Sequence, residues 1–318
     1  MRYYDIKFTR PTTANTSVSL PYFTTLDSYG NTIAGALDIQ LDLLMTTVEA
    51  TPAMSSLRVW GAGLQYLGPA SGIVGSTIEI RAGMSKGLPL AKPTQRGLLL
   101  RGTVYQAYGN WQGTEQTLDL VITLDVGSAS STMNIPWVWL KGTSLKESLS
   151  TALKTANPDI KNVVFSLVDD IIAPRDDVGH YQTLIAFMQH IKSVTATPSY
   201  NGVKMLVRDN SYIVFDSGYN QSNPTVLDLV DFVGQPTWSS YATITLKLVM
   251  RGDLNIGDYI TFPKTIPQLL TPNSYANYRD SSLFQGTYQI ASVRHVGSFR
   301  QADADAWVTV VEAIVTGG

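Results

Sequence analysis

The side chains able to do acid–base, metal or nucleophilic chemistry are few in this sequence. His180, His190 and His295 are its three histidines. His180 and His190 are too far apart for the i, i+4 pair that chelates a metal from one helix face, so both read as surface or helix-edge residues. Asp169-Asp170 and Asp176-Asp177 flank Ile171-Ile-Ala-Pro-Arg, and a carboxylate pair is what glycoside hydrolysis requires. Adjacent aspartates point in different directions, however, so a solvated loop is expected. Trp137 and Trp139 fall on one face of a strand, which suits a sugar groove, a core or an interface equally. Gly83-Met-Ser-Lys-Gly lacks the P-loop spacing, and no helix pattern follows it. There is no serine nucleophile elbow and no dinucleotide-binding glycine fingerprint. With no cysteine, thiolate zinc sites and thiol nucleophiles are excluded. The expectation is a protein with no catalytic residue, no cofactor and no metal site.

The elements behind these residues are mostly strands. Ala242 to Pro263 sets the pattern: Ile244, Leu246, Leu248 and Met250 alternate with Thr243, Thr245, Lys247 and Val249, the period of a half-buried strand. Gly252-Asp253 and Gly257-Asp258 supply turns, and Tyr259 to Phe262 resumes strand composition. Phe284 to Gly297 and Trp307 to Val315 add further strands. An earlier stretch follows the same plan. Leu57 to Leu64 parallels Leu246 to Leu254, Gly75-Ser-Thr-Ile-Glu-Ile parallels Gly257-Asp-Tyr-Ile-Thr-Phe, and Arg101-Gly-Thr parallels Gln285-Gly-Thr. Each copy ends in an alternating strand, Thr117 to Leu124 and Trp307 to Val315. The alternatives are a duplicated barrel or two unrelated β-domains that share turn chemistry.

Further strands are read at Tyr3 to Thr9, with Tyr4, Ile6 and Phe8 on one face, at Ala36 to Ala50, and at Ala53 to Gly63, which runs into a glycine-rich turn. Helix signals begin only after the polar linker Gly127-Ser-Ala-Ser-Ser-Thr. Ser144 and Glu147 have capping-box spacing, Leu145, Leu149 and Leu153 mark a helix, and Asn157-Pro158 ends it. Tyr181, Leu184, Ile185, Met188 and Ile191 mark a second helix. Val163 to Val168 reads as a strand and Gly202 to Phe215 as a hairpin turning at Asp209-Asn210. Asn223-Pro224 is read as capping a short segment closed by Gly234 and Pro236. The fold class is therefore mainly β with a smaller α/β module: a β-domain over 1–126, an α/β module over 127–240 and a second β-domain over 241–318.

Composition limits the partners. Of the 318 residues, 44% are hydrophobic, enough for a sizeable core, while 15% are charged, below the usual quarter or so. A surface poor in charge and rich in Thr, Ser, Gln, Asn and Tyr is expected to be covered by other proteins. The formal charge of −2, with no basic block, lacks the footprint of a dedicated nucleic-acid binder. The start has no signal-peptide core and no run approaches a membrane span, so a soluble, cytoplasmically made protein is expected. Lys264 to Ser282 has no period, and loops of this length are usually functional or disordered. Its Pro267, Leu269, Leu270, Tyr275 and Tyr278 are apolar enough to be interface residues against a neighbouring subunit or another protein.

Several turn and strand-end motifs carry a family resemblance. Gly61-Ala-Gly-Leu, Gly83-Met-Ser-Lys-Gly-Leu-Pro-Leu-Ala, Gly109-Asn-Trp-Gln-Gly, Gly234-Gln-Pro-Thr-Trp, Met250-Arg-Gly-Asp-Leu and Val293-Arg-His-Val-Gly-Ser-Phe-Arg resemble the baseplate hub proteins of contractile-tailed bacteriophages. The resemblance runs from about Leu57 to the end and includes no reactive group. It implies two tail-tube-like antiparallel barrels with an inserted α/β domain, and a homotrimeric ring in the virion baseplate, assembled in the host cytoplasm. The implied partners are the tail tube or a tail-terminal ring protein, a central spike and other baseplate proteins, with DNA only in transit. A carbohydrate-binding or wall-hydrolysing tail component is the alternative.

Overall fold

The computed structural model describes residues 2–10, 19–50, 54–68, 70–84, 95–124, 133–158, 160–208, 211–217, 223–262 and 286–315. The strands of the first β-region are β1 (Arg2–Thr9), β2 (Tyr22–Thr24), β3 (Asp38–Met45), β4 (Met54–Trp60), β5 (Thr77–Met84), β6 (Gly97–Gln112) and β7 (Glu115–Leu124). A short helix α1 (Leu64–Leu67) and a 3-10 turn (Ala70–Ile73) stand between β4 and β5, where a plain glycine turn was expected. They bury Leu67, Ala70 and Ile73 against the barrel, so this connection also plugs the core. The central module holds β8 (Ile135–Trp139), α2 (Leu145–Ala156), β9 (Asn162–Ser166), β10 (Asp177–Tyr181), α3 (Leu184–Thr195), β11 (Lys204–Arg208) and β12 (Ser211–Phe215). After it come β13 (Thr225–Val226), β14 (Thr237–Trp238), β15 (Thr243–Val249), β16 (Tyr259–Thr261), β17 (Thr287–Ser298) and β18 (Trp307–Val315). No described helix is long and apolar enough to cross a membrane.

Local chemistry corrects four boundaries. The strand expected over Ala36 to Ala50 is β3 alone, since Thr47 to Ala50 forms a turn, with Ala50 N bonded to Thr47 O at 3.0 Å. Ser144 caps α2 by accepting from Lys146 N at 3.2 Å, but its hydroxyl donates to Asp170 at 2.7 Å rather than completing a box with Glu147. Tyr181 ends β10 opposite Ile135 instead of opening a helix. Thr183 caps α3, and Tyr181 meets Phe187 at 5.3 Å from outside it. The segment after Asn223-Pro224 is β13 plus a 3-10 turn (Leu229–Asp231), in which Asp228 and Asp231 form a capping box.

Thirteen strands join in one sheet, and the order β14-β15-β18-β17-β3-β4-β7-β6-β5-β1-β2 runs through both β-regions. The same plan occurs twice. In the first region β4, β7, β6 and β5 are antiparallel neighbours, and in the second β15, β18, β17 and β16 follow in the same order. The hydrogen bonds repeat as well. Gly75 N donates to Val104 O (2.9 Å) and Val104 N to Ser76 O (3.0 Å), matching Gly257 N to Ile290 O (2.8 Å) and Ile290 N to Asp258 O (2.9 Å). Gly61 N reaches Gln116 O at 2.7 Å as Met250 N reaches Trp307 O at 3.1 Å. Directly after those anchor points β6 bulges at Tyr105 and β17 at Ala291. Val104 therefore corresponds to Ile290, and Leu57 to Leu246. The Gly-Thr match of Gly102 with Gly286 is two residues out of register, a slip that keeps every side chain on its face because the strand period is two.

Three cores result. One packs Tyr4, Ile39, Leu57, Ile80 and Leu120, a second Leu246, Leu248, Ile260, Ile290 and Val311, and a third the helices α2 and α3 against Trp137, Trp139 and Tyr212. The first is not private to its barrel, since Met250 and Trp307 are buried in it.

Candidate functional site: a continuous strand face and its end edges

Strands β15, β18, β17, β3, β4, β7 and β6 lie side by side. Alternate residues such as Leu246, Val311, Leu41, Leu57 and Leu120 point into the cores. The intervening positions carry Lys247, Glu312, Arg294, Asp42, Arg58 and Asp119 on the opposite face. The cations are matched one by one. Arg294 Nε and Nη2 donate to the two Asp42 oxygens at 2.7 and 2.6 Å, Arg58 donates to Asp119, and Lys247 meets Asp305 at 2.9 Å. The Asp42 bonds hold the Arg294 guanidinium above its ordinary pKa. Such exposed pairs add little stability, about 0–1 kcal/mol each. Their effect is to cancel the charge across a polar surface.

This face is continuous because β17 changes partner on one of its edges. Thr287 to Gln289 pair with β16, and beyond the bulge Val293 to Ser298 pair with β3 in the register Val296 opposite Asp42. A bulge bends a strand and increases its twist, which turns the second half of β17 toward the other barrel. His295 lies at this joint, fully buried, with Nδ1 2.9 Å from Thr309 Oγ1. Burial pushes its pKa down to about 3. The joint is locked elsewhere too. Arg251, 4% exposed, donates to Asp231 at 3.0 Å and with two nitrogens to Asp253 at 2.7 Å, while Gln95 from the first barrel donates to Asp231 at 2.7 Å. Burial acts to lower the Arg251 pKa, but the two carboxylates outweigh it and the net shift is upward. Gly97 and Gly252 touch backbone to backbone, since a Cβ on Gly252 would lie 2.9 Å from Gly97 C.

Of the residues singled out for chemistry, the structure brings Asp177 together with Trp137 and His190, while Asp170 and Asp176 bond elsewhere. Asp170 accepts from Ser144, Asp176 accepts from Lys141 N at 2.7 Å, and Asp177 accepts from Trp137 Nε1 at 2.7 Å and meets His190 at 2.8 Å. Burial raises the Asp177 pKa, but the Trp137 and His190 hydrogen bonds leave it below its ordinary value. These aspartates hold loop and strand ends. Trp137 and Trp139 are 1% and 2% exposed, so they form core and not a sugar platform. His180 bonds Asn134, away from the His190–Asp177 pair. Among the described residues no group of three or more His, Asp or Glu side chains could hold a metal ion. Pro267, Leu269, Leu270, Tyr275 and Tyr278 lie outside the described residues. The sequence reading missed the joint; its one signal was Met250-Arg-Gly-Asp, where an arginine stands in an apolar strand end beside a carboxylate.

This arrangement, a doubled antiparallel barrel with an inserted α/β module whose two barrels share one sheet, can be compared with known folds. Solved structures similar in fold include two tail proteins and a type VI secretion component. A tail protein from Neisseria meningitidis MC58 aligns with a TM-score of 0.58 at 9% identity, over 99% of this chain and 97% of its own. The 43 kDa tail protein of prophage MuSo2 from Shewanella oneidensis aligns with a TM-score of 0.55 at 7% identity, over 99% and 98%. The E. coli c3393 protein is a type VI secretion component described as structurally similar to T4 bacteriophage tail proteins gp27 and gp5. It aligns with a TM-score of 0.54 at 10% identity, over 90% of this chain and 75% of its own. No protein-family model and no curated protein sequence matches the chain.

Proposed function

We propose that the chain is the structural hub of a phage-type tail baseplate. Three copies close into a ring that offers six barrels to a six-fold tail tube and a three-fold face to a central spike. The observation that carries this reading is the repeat itself: two barrels with the same strand order, the same anchoring hydrogen bonds and the same bulge, joined in one sheet. Such a chain has near-six-fold contacts in one direction and three-fold contacts in the other. The charge-matched polar face supports a channel wall, because DNA in transit would be retained by a cationic lining. The division into two β-domains with an α/β module between them, a position in the virion tail and the absence of catalysis belong to the same reading. So does a role for Pro267, Leu269, Leu270, Tyr275 and Tyr278 as contacts to a neighbouring subunit or tail protein. Native mass spectrometry of the chain with its spike partner tests it: three chains per complex are expected, and six would overturn it.

A further inference from the structure

The repeat assigns a partner to a strand edge that has no strand beside it among the described residues. In the second barrel the half of β17 beyond the bulge pairs with β3, and His295 and Gly297 are buried there. The equivalent half of β6, beyond the bulge at Tyr105, pairs with β7 on one edge. Its pairing with β5 on the other edge stops at Thr103. The exposed part of this strand includes Tyr105, Tyr108 and Trp111, which are 52%, 50% and 63% exposed. A strand half with three exposed aromatics and one edge without strand pairing among the described residues is a template for another strand.

Equivalence also specifies what that strand is. β3 precedes β4 in the first barrel and pairs with it, Asp42 opposite Ser56. β14 precedes β15 in the second and pairs with it, Thr237 opposite Thr245. Ser56 and Thr245 correspond, because Leu57 corresponds to Leu246. Thr237 therefore stands where Asp42 stands, and β14 ends the sheet among the described residues. Position by position after the bulge, Tyr108, Gly109 and Asn110 correspond to Arg294, His295 and Val296. We infer that the open half of β6 takes β14 of a second copy of this chain, antiparallel, with Asn110 opposite Thr237 as Val296 is opposite Asp42. The contact is heterologous, so each copy offers one edge and accepts one, and the chain of contacts must close or grow into a filament. The Arg294–Asp42 pair of the joint within the chain has no counterpart, since Tyr108 and Thr237 occupy those positions. The contact between copies thus depends on strand pairing and aromatic packing, and salt should hardly weaken it.

This deepens the ring reading of the proposed function, and the test separates the two. The chain contains no cysteine, so introduced pairs report alone. Phe299 N donates to Ile39 O at 2.9 Å, which turns Ile39, Leu41 and Leu43 toward β17 and makes Asp42 and Val296 a non-hydrogen-bonded pair. Such pairs have the close Cα spacing a disulfide needs. Asn110→Cys with Thr237→Cys in the full chain, oxidised at low protein concentration, should give a covalent trimer on a non-reducing gel. Asp42→Cys with Val296→Cys should close within one chain. A trimer by native mass spectrometry that forms no link at Asn110 and Thr237, while the pair within the chain links, overturns the edge assignment and leaves the ring standing. A chain that stays monomeric and unlinked overturns both.

Discussion

His295 shows how much one side chain at the joint decides. Thr309 Oγ1 is 3.2 Å from Arg251 O and accepts from Arg251 N at 3.0 Å. With its single proton given to Arg251 O, the threonine receives Nδ1–H from the histidine. Nε2 is then a bare acceptor, and it is buried without a partner, a cheaper state than an orphaned N–H. The ring stays neutral in the fold, with a pKa near 3, while the unfolded chain protonates near the ordinary 6.5 or so. The stabilising difference is fully present above that ordinary value and is lost as pH falls toward the folded one. Wild type should therefore lose about 1.4 kcal/mol of stability per pH unit between about pH 6 and pH 4 relative to His295→Gln. Carboxylate titrations common to both cancel in the comparison. A flat difference in denaturant midpoints across that range would show that the imidazole is not held neutral. Nothing in the sequence marked this histidine, because its burial depends on β3, some 250 positions earlier in the chain.

At the scale of elements, the strands were readable where one face is buried and the other wet. The alternation in Thr243–Val249 and Trp307–Val315 survives as β15 and β18. The two-residue strands β13 and β14 were not legible, since a pair such as Thr237–Trp238 is a strand only because β15 lies beside it. The turn glycines were readable, and the structure gives them one shared task. Gly75 and Gly257 have φ of 80° and 85° and open the paired hydrogen bonds to Val104 and Ile290. A side chain in that left-handed region costs about 1–2 kcal/mol. Gly75→Ala and Gly257→Ala should therefore each lower stability by about that amount in chemical denaturation. A neutral result at one glycine and a loss at the other would mean the two turns are not equivalent and would weaken the repeat.

For the whole molecule, the question is whether the two barrels act as two bodies or one. The sequence suggested two because its turn chemistry occurs twice, and it gave no sign that they share a sheet, since β-sheet partners are set by tertiary structure. Six residue pairs join β17 to β3, Trp307 is buried in the first core and donates Nε1–H to Gly83 O at 3.0 Å, and Arg2 of β1 reaches Ser298 O at 2.7 Å. Each link crosses from one barrel to the other. Arg251 acts on the joint through Asp231, because removing it strands that carboxylate, itself 2% exposed and bonded to Gln95 across the joint. Breaking a buried ion pair from one side costs about 3–5 kcal/mol. If the barrels fold as one unit, Arg251→Ala should remove that protection from amides in both. Peptides from β7 and β18 would then lose it together in native-state hydrogen exchange, which reads the free energy of opening segment by segment. A loss confined to 243–315, with β7 unchanged, would mean that the barrels open separately and that the shared sheet is only a contact.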